Sequence, residues 1–275
     1  MSTVDWNIKR FRSGRGSEEL RDRVVIELPL EIKLNGIPLV ALMRMPGMDK
    51  ELAVGFCFTE KIIDDISQIR LLKHCGQLEQ EIAGGGEAGS DGLDRGNVVE
   101  IEAEAPADQD RFSGTFIVRT GCGGADLSAL EDYHEGTVSS RLEIGADIIY
   151  GVGRELTRHQ EVFAGTGGTH GAGVFERDGR AAVVAEDVGR HNALDKAVGW
   201  CALWGTEIRD KFLVLSGRIS YEMALKAVRV GIPVVVSMAA PTSLGLRIAE
   251  KAGLTLVGFS DGKRFNVYTH PERIV

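Results

Sequence analysis

The chain has 275 residues, is 43% hydrophobic, and carries a formal net charge of −8 with a sequence pI near 5.4. That is enough apolar material for one large or two ordinary domains with real cores. The acidic balance argues against general nucleic-acid binding, which needs a basic footprint, and no apolar run approaches the roughly 18 residues of a membrane span. An anionic small ligand stays open, because backbone N–H groups and a few local cations suffice to hold one.

Met1 to Gly16 are polar and basic with no apolar signal core, so a cytosolic chain is expected, and residues 1–21 read as a flexible arm. From Val24 two apolar runs flank Asn35-Gly36, a strong hairpin signal because a tight turn there needs positive φ. Met45-Pro46-Gly47 is a turn. The helix expected next buries Leu52, Phe56 and Phe58, with Asp49 placed to cap its start. Glycine-rich residues 84–96 read as a flexible insertion, and strands are expected at Val98–Glu104 and Gly114–Thr120.

Cys122 follows, in Gly121-Cys122-Gly123-Gly124-Ala125-Asp126, where three glycines leave its sulfur poorly shielded. Cys57 and Cys201 sit in apolar runs and read as buried thiols. An incidental loop cysteine stays an alternative for Cys122; Cys75, with His74 and Gly76 beside it, ranks second because no glycine run frees it. The four cysteines lie far apart, without zinc-knuckle spacing, so reduced thiols and no structural metal are expected.

Ile144, Ile148, Val152 and Leu156 step at helical spacing before the loop Gly165–Gly171. In that loop Thr169 or His170 either lines a pocket or belongs to a simple turn. A hairpin is expected around Asp178-Gly179, between strands at 172–176 and 181–186. The block Glu186–Gly199 then turns through Gly189 into a helix. Its Asp187, Arg190 and His191 form either a polar site at the strand-to-helix edge or the ion pairs of a capped surface helix.

Strands at Phe212–Leu215, Pro233–Ser237 and Leu254–Phe259 alternate with helices, which implies a parallel sheet. Ligands sit beyond the carboxyl ends of such strands. The material there is Ser216-Gly217-Arg218, Ser237 to Ser243, and Phe259-Ser260-Asp261-Gly262-Lys263-Arg264. Small residues admit a ligand to the backbone and the cations neutralise a phosphate. Phe259 either stacks on a ring or closes the core. Together these predict an arm over 1–21, an amino-terminal α+β domain over 22–135 and an α/β domain over 136–275.

Met43-Arg44-Met45-Pro46-Gly47, Glu51–Phe56, Gly167-Gly168-Thr169-His170, Glu186–Gly199, Ser216-Gly217-Arg218, Ala240–Ser243 and Leu254–Phe259 together resemble the FdhD family of formate dehydrogenase accessory sulfurtransferases. The resemblance implies a cytidine-deaminase-like carboxyl-terminal domain. It further implies a persulfide on Cys122, loaded by a cysteine desulfurase and passed to the bis-guanine-dinucleotide molybdenum or tungsten cofactor of formate dehydrogenase. The nucleotide-contacting segment of the family falls on Phe259 to Arg264, and a homodimer is implied. A molybdenum-cofactor chaperone that carries no sulfur is the alternative, because Ala125 stands where the family commonly has a second cysteine. Deaminase zinc chemistry needs a His or Cys followed by Glu and then a cysteine pair, whereas the corresponding places, Gly168-Thr169-His170-Gly171-Ala172 and Ser216-Gly217-Arg218, hold no cysteine.

Overall fold

A computed structural model of the protein describes residues 2–75, 97–104 and 137–275. The insertion at 84–96, the strand expected at 114–120 and the Cys122 loop lie outside the described residues.

In place of the expected arm, Thr3–Arg12 (β1) and Gly16–Val25 (β2) pair antiparallel as a two-stranded ribbon, from Thr3 opposite Val25 to Arg12 opposite Gly16. Period-two alternation of Val4, Trp6 and Ile8 drives it, and Gly14 and Gly16, both at positive φ, turn it.

The amino-terminal sheet has the order β4-β3-β6-β5, built from Leu28–Leu34 (β3), Ile37–Arg44 (β4), Ile69–Cys75 (β5) and Val98–Ala103 (β6). The β3–β4 turn is Asn35-Gly36, with φ of 52° and 79°, the left-handed pair that suits the strand twist. Leu28, Leu30, Ile32 and Leu34 point inward at period two. Pro29 is tolerated because β6 begins pairing only at Glu31, so no ladder bond is lost there.

Asp49–Thr59 (α1) covers this sheet with Leu52, Ala53, Phe56 and Cys57. Asp49 does not cap it. The N-cap is Met48 at φ 56°, and the Asp49 carboxylate is drawn instead to the buried Arg44 guanidinium, 2.8 Å from Nε. A charged partner outcompetes backbone N–H groups for that carboxylate.

The second sheet has the order β12-β11-β10-β9-β7-β8. Its strands are His170–Phe175 (β7), Ala181–Asp187 (β8), Phe212–Leu215 (β9), Val234–Ser237 (β10), Thr255–Gly258 (β11) and Asn266–Thr269 (β12). β9, β10 and β11 run parallel, while β7 is antiparallel to β9 and forms the expected hairpin with β8. The parallel strands are short apolar runs because helices cover both faces. Ala146–Arg158 (α2) packs Ile149, Val152 and Leu156 on one face. Arg190–Leu203 (α4), Tyr221–Arg229 (α5) and Ser243–Ala252 (α6) pack on the other. A short helix, Glu161–Thr166 (α3), precedes β7. Ile144, expected inside α2, instead bridges Ile274 just before it.

The two sheets are joined through α1 and α4. Gly55 of α1 lies on the backbone of Asp195 and Gly199, and Gly199 lies on Glu51 and Gly55, so the helices touch main chain to main chain. Beside that crossing, Lys226 Nζ is held by Asp195 at 2.9 Å, Glu60 at 3.0 Å and the Thr59 hydroxyl at 2.7 Å.

Candidate functional site

β8, β9, β10 and β11 all end on the side of the sheet where β7 begins, so their carboxyl-terminal residues lie along the same end of the sheet as His170. His170 is in register with Asp187. Gly171 N donates to Ser216 Oγ at 2.9 Å, and Ser216 N returns a bond to the Gly171 carbonyl at 3.0 Å. Gly217 sits against the His170 ring; a Cβ there would lie 3.3 Å from Nδ1 and 3.8 Å from the Arg190 side chain. Ser237 Oγ donates to the Gly217 carbonyl at 2.7 Å, which ties the end of β10 to the same loop.

The expected residues separate into two groups by what they touch. Asp187 is fully buried and faces inward. It accepts from Lys196 Nζ at 2.7 Å, Met45 N at 3.1 Å, Gly189 N at 2.9 Å and Asn192 Nδ2 at 2.9 Å. Asn192 also donates to Met43 O, and Lys196 to Met45 O, both at 2.8 Å. Asp187 therefore braces the loop 43–47 against the start of α4 and offers no free lone pair to a ligand. The sequence reading missed Asn192 and Lys196. The available signal was Asn192 and, next to Asp195, Lys196 in a helix whose other residues from Ala193 to Leu203 are apolar or glycine, where a buried charge has to find a partner.

Arg190, His191, Gly217 and Arg218 face the other way, around the starts of α4 and α5. His191 Nε2 is 2.9 Å from Glu222 of α5. Among the described residues, Arg190 Nε is buried without a hydrogen-bond partner, as is Ser220 Oγ at the start of α5. Unsatisfied donors here, beside two helix N-termini and above a glycine, make a shelf suited to an anion. His170 belongs to the shelf as well. Burial, then the charges of Arg190, His191 and Arg218, hold its imidazole below the ordinary value of 6.5. The fold thus favours the neutral ring. That contribution to stability is present in full above about pH 6.5 and is lost as pH falls through the lower folded value.

Phe259 to Arg264 form the loop after β11. Phe259 is held at φ 53°, a sparsely populated region for an aromatic residue, and the residue is 39% exposed. Ser260 is buried and donates to Ile149 O at 3.0 Å, so its hydroxyl serves the scaffold. Asp261 accepts from Lys263 N and Arg264 N at 2.9 and 3.0 Å. These bonds lower its pKa and close the turn through Gly262 at φ 84°. Lys263 and Arg264 are left exposed.

Three of the four cysteines lie among the described residues. Burial pushes the Cys57 thiol up to about 12, with Asp195 adding to the effect, and burial does the same for Cys201. Neither supplies thiolate near neutral pH. Cys75 is exposed at the end of β5. Iodoacetamide at pH 8 is therefore expected to label Cys75 in the native protein and to spare Cys57 and Cys201 until the chain unfolds, as read by peptide mapping. Native labelling of either buried thiol would contradict this packing.

Residues 25–275 match the model of the FdhD/NarQ family, which leaves nearly all of the ribbon ahead of the matched region. A protein named sulfur carrier protein FdhD from Mycolicibacterium paratuberculosis is 36% identical over 263 residues, 92% of each chain. One of the same name from Sulfurisphaera tokodaii is 34% identical over 273 residues, 98% of each. Among solved structures, a candidate formate dehydrogenase accessory protein from Desulfotalea psychrophila superposes with a TM-score of 0.77 at 27% identity, covering 100% of both chains.

Proposed function

We propose a sulfur-carrier function for this chain, which belongs to the FdhD/NarQ family. The name shared by its relatives supports the carrier role, and the accessory-protein neighbour supports formate dehydrogenase as the client. The carrier group is Cys122. Its thiolate attacks the outer sulfur of a cysteine desulfurase persulfide; the S–S bond breaks, the donor cysteine leaves as a thiol, and Cys122 holds the persulfide. The inertness of Cys57 and Cys201 supports this choice by leaving Cys75 as the competing acceptor. Work in the cytoplasm, among reduced thiols, is part of the same reading.

The substrate that receives the sulfur is the guanine-dinucleotide form of the molybdenum or tungsten cofactor. The observation that carries this half is the shelf of His170, Arg190 and Arg218 in a chain that is acidic as a whole. Its unpartnered Arg190 Nε and Ser220 Oγ, and the missing side chain at Gly217, fit a diphosphate lying against two helix starts. Phe259, strained and exposed, suits a ring of the same ligand. The deaminase-like reading of the carboxyl-terminal unit comes from the family resemblance, and its order of helix, hairpin, helix and three parallel strands agrees with it.

Guanosine diphosphate tests the shelf without the full cofactor. We expect it to bind and to raise the His170 pKa, followed by NMR of the imidazole, because added negative charge favours the protonated ring. Arg190→Met is expected to weaken binding about tenfold or more, the worth of one charge-assisted hydrogen bond. Arg264→Glu is expected to weaken it as well. An unchanged dissociation constant in both variants would remove the site. The chaperone reading is favoured by one observation, Ala125 in the place of a second loop cysteine; it predicts guanosine diphosphate binding with no sulfur ever on Cys122.

A further inference from the structure

Glu186 and Asp187 end β8 and, at period two, send their side chains to opposite faces of the sheet. Asp187 braces loop 43–47. Glu186 reaches instead to the segment 161–169, which runs from the start of α3 to the residue before His170. Its carboxylate accepts from Val162 N at 2.9 Å and Phe163 N at 2.8 Å, in the first turn of α3. The Oε1 that takes Phe163 N also accepts from Thr169 Oγ1 at 2.8 Å, and Thr169 is buried. One side chain therefore pins both ends of the segment. α3 relies on this outside cap. None of its six residues is buried, and its own N-cap residue, Gln160, makes no side-chain cap bond. The Gln160 amide lies against Gly171 instead.

We infer that Glu186, acting through the Thr169 hydroxyl, is a positioning residue for His170, an inference that rests on reading the shelf as the ligand site. His170 stands between two fixed neighbours. Gly171 exchanges two bonds with Ser216, and Thr169 is tied to Glu186. Holding the residues on either side sets the direction in which the imidazole leaves the backbone, toward Gly217. A carboxylate suits the place because its two oxygens accept all three bonds at once. Charge and position act on the ring with opposite signs. Loss of the Glu186 charge alone favours the neutral imidazole and lowers its pKa further. Loss of position lets water reach a ring that burial and the charges of Arg190, His191 and Arg218, opposed by Asp187, now keep neutral. That change raises its pKa toward 6.5.

The test is an NMR titration of the His170 imidazole in the full chain, with guanosine diphosphate affinity read in parallel. Thr169→Val keeps the side-chain shape and leaves both α3 N–H groups on Glu186, whereas Glu186→Ala removes the whole clamp. Thr166→Val is the control. Thr166 closes the far end of α3, donating to Val162 O at 2.7 Å and accepting from Gly168 N at 3.1 Å, with no bond to Glu186. We expect the His170 pKa to rise in Thr169→Val and further in Glu186→Ala, and to stay in place in Thr166→Val. The dissociation constant for guanosine diphosphate is expected to increase roughly fivefold in Thr169→Val, the worth of one neutral hydrogen bond. A Glu186 that only caps α3 predicts no change in that variant. An unmoved pKa in Thr169→Val, or a lowered one in Glu186→Ala, would overturn the inference. So would an equal rise in Thr166→Val, or a risen pKa with the dissociation constant unchanged. A wild-type chain that binds no guanosine diphosphate would overturn the shelf reading, and the pKa comparison, made on the free protein, decides the placing of His170 separately.

Discussion

Gly55→Ala is expected to destabilise the protein by at least about 3 kcal/mol, the upper range for overpacking a close contact. An added methyl at Gly55 would sit inside the carbonyl of Asp195 and 2.9 Å from Gly199 N. Both obstacles are helix backbone, which cannot rotate away as a side chain can. Helix propensity alone predicts the opposite sign, a gain of up to ~1 kcal/mol for Gly→Ala. Gly151→Ala in α2 is the control, since a Cβ there meets nothing within 4 Å, and it is expected to be neutral or stabilising. Denaturant titrations of the two variants separate packing from propensity. Equal effects at Gly55 and Gly151 would mean that α1 and α4 do not cross as described. Because this crossing joins the amino-terminal sheet to the sheet that carries His170 and Asp187, Gly55→Ala is also expected to loosen the two units from each other.

Lys196→Met is expected to cost about 3–5 kcal/mol, because it strands the Asp187 carboxylate without a counter-charge in a site with no solvent exposure. The second substitution decides the cause. Asp187→Asn/Lys196→Met removes both charges and should recover part of that loss, giving a coupling energy well outside additivity. Full additivity would mean that the pair does not interact. The same network donates to or accepts from the main chain of Met43 and Met45, so Lys196→Met should also raise amide exchange across residues 43–47. Exchange confined to α4 would contradict the bracing role.

Those two predictions fall on residues that the sequence shows only in part. The hairpins at Asn35-Gly36 and Asp178-Gly179 were legible because each turn needs positive φ and carries the residues that adopt it. The parallel strands were legible as short apolar runs between helices. The ribbon was not read, although Val4, Trp6 and Ile8 alternate, because charges on both strands mask a single apolar face. The strand ends pointed to Arg190, Gly217 and Arg218, which the structure brings together beside His170; an anion held there belongs to the proposed function. Asp187 misled because a charged residue beside a helix start looks solvent-facing. Its partners lie at Lys196 and at Met45, and the latter is 142 positions away in the chain. Only the folded arrangement turns that acid inward. His170 stayed ambiguous for a similar reason. A histidine after glycines becomes informative once Arg190 and Gly217 are seen beside it.

The central claim is that Cys122 carries sulfur, and mass spectrometry of the intact chain after incubation with a cysteine desulfurase and cysteine tests it most directly. The expected result is a gain of one sulfur atom on wild type and on Cys75→Ala, mapped to the peptide containing Cys122 and lost in Cys122→Ala. A chain that gains no sulfur, or one whose gain survives Cys122→Ala and vanishes in Cys75→Ala, would contradict it.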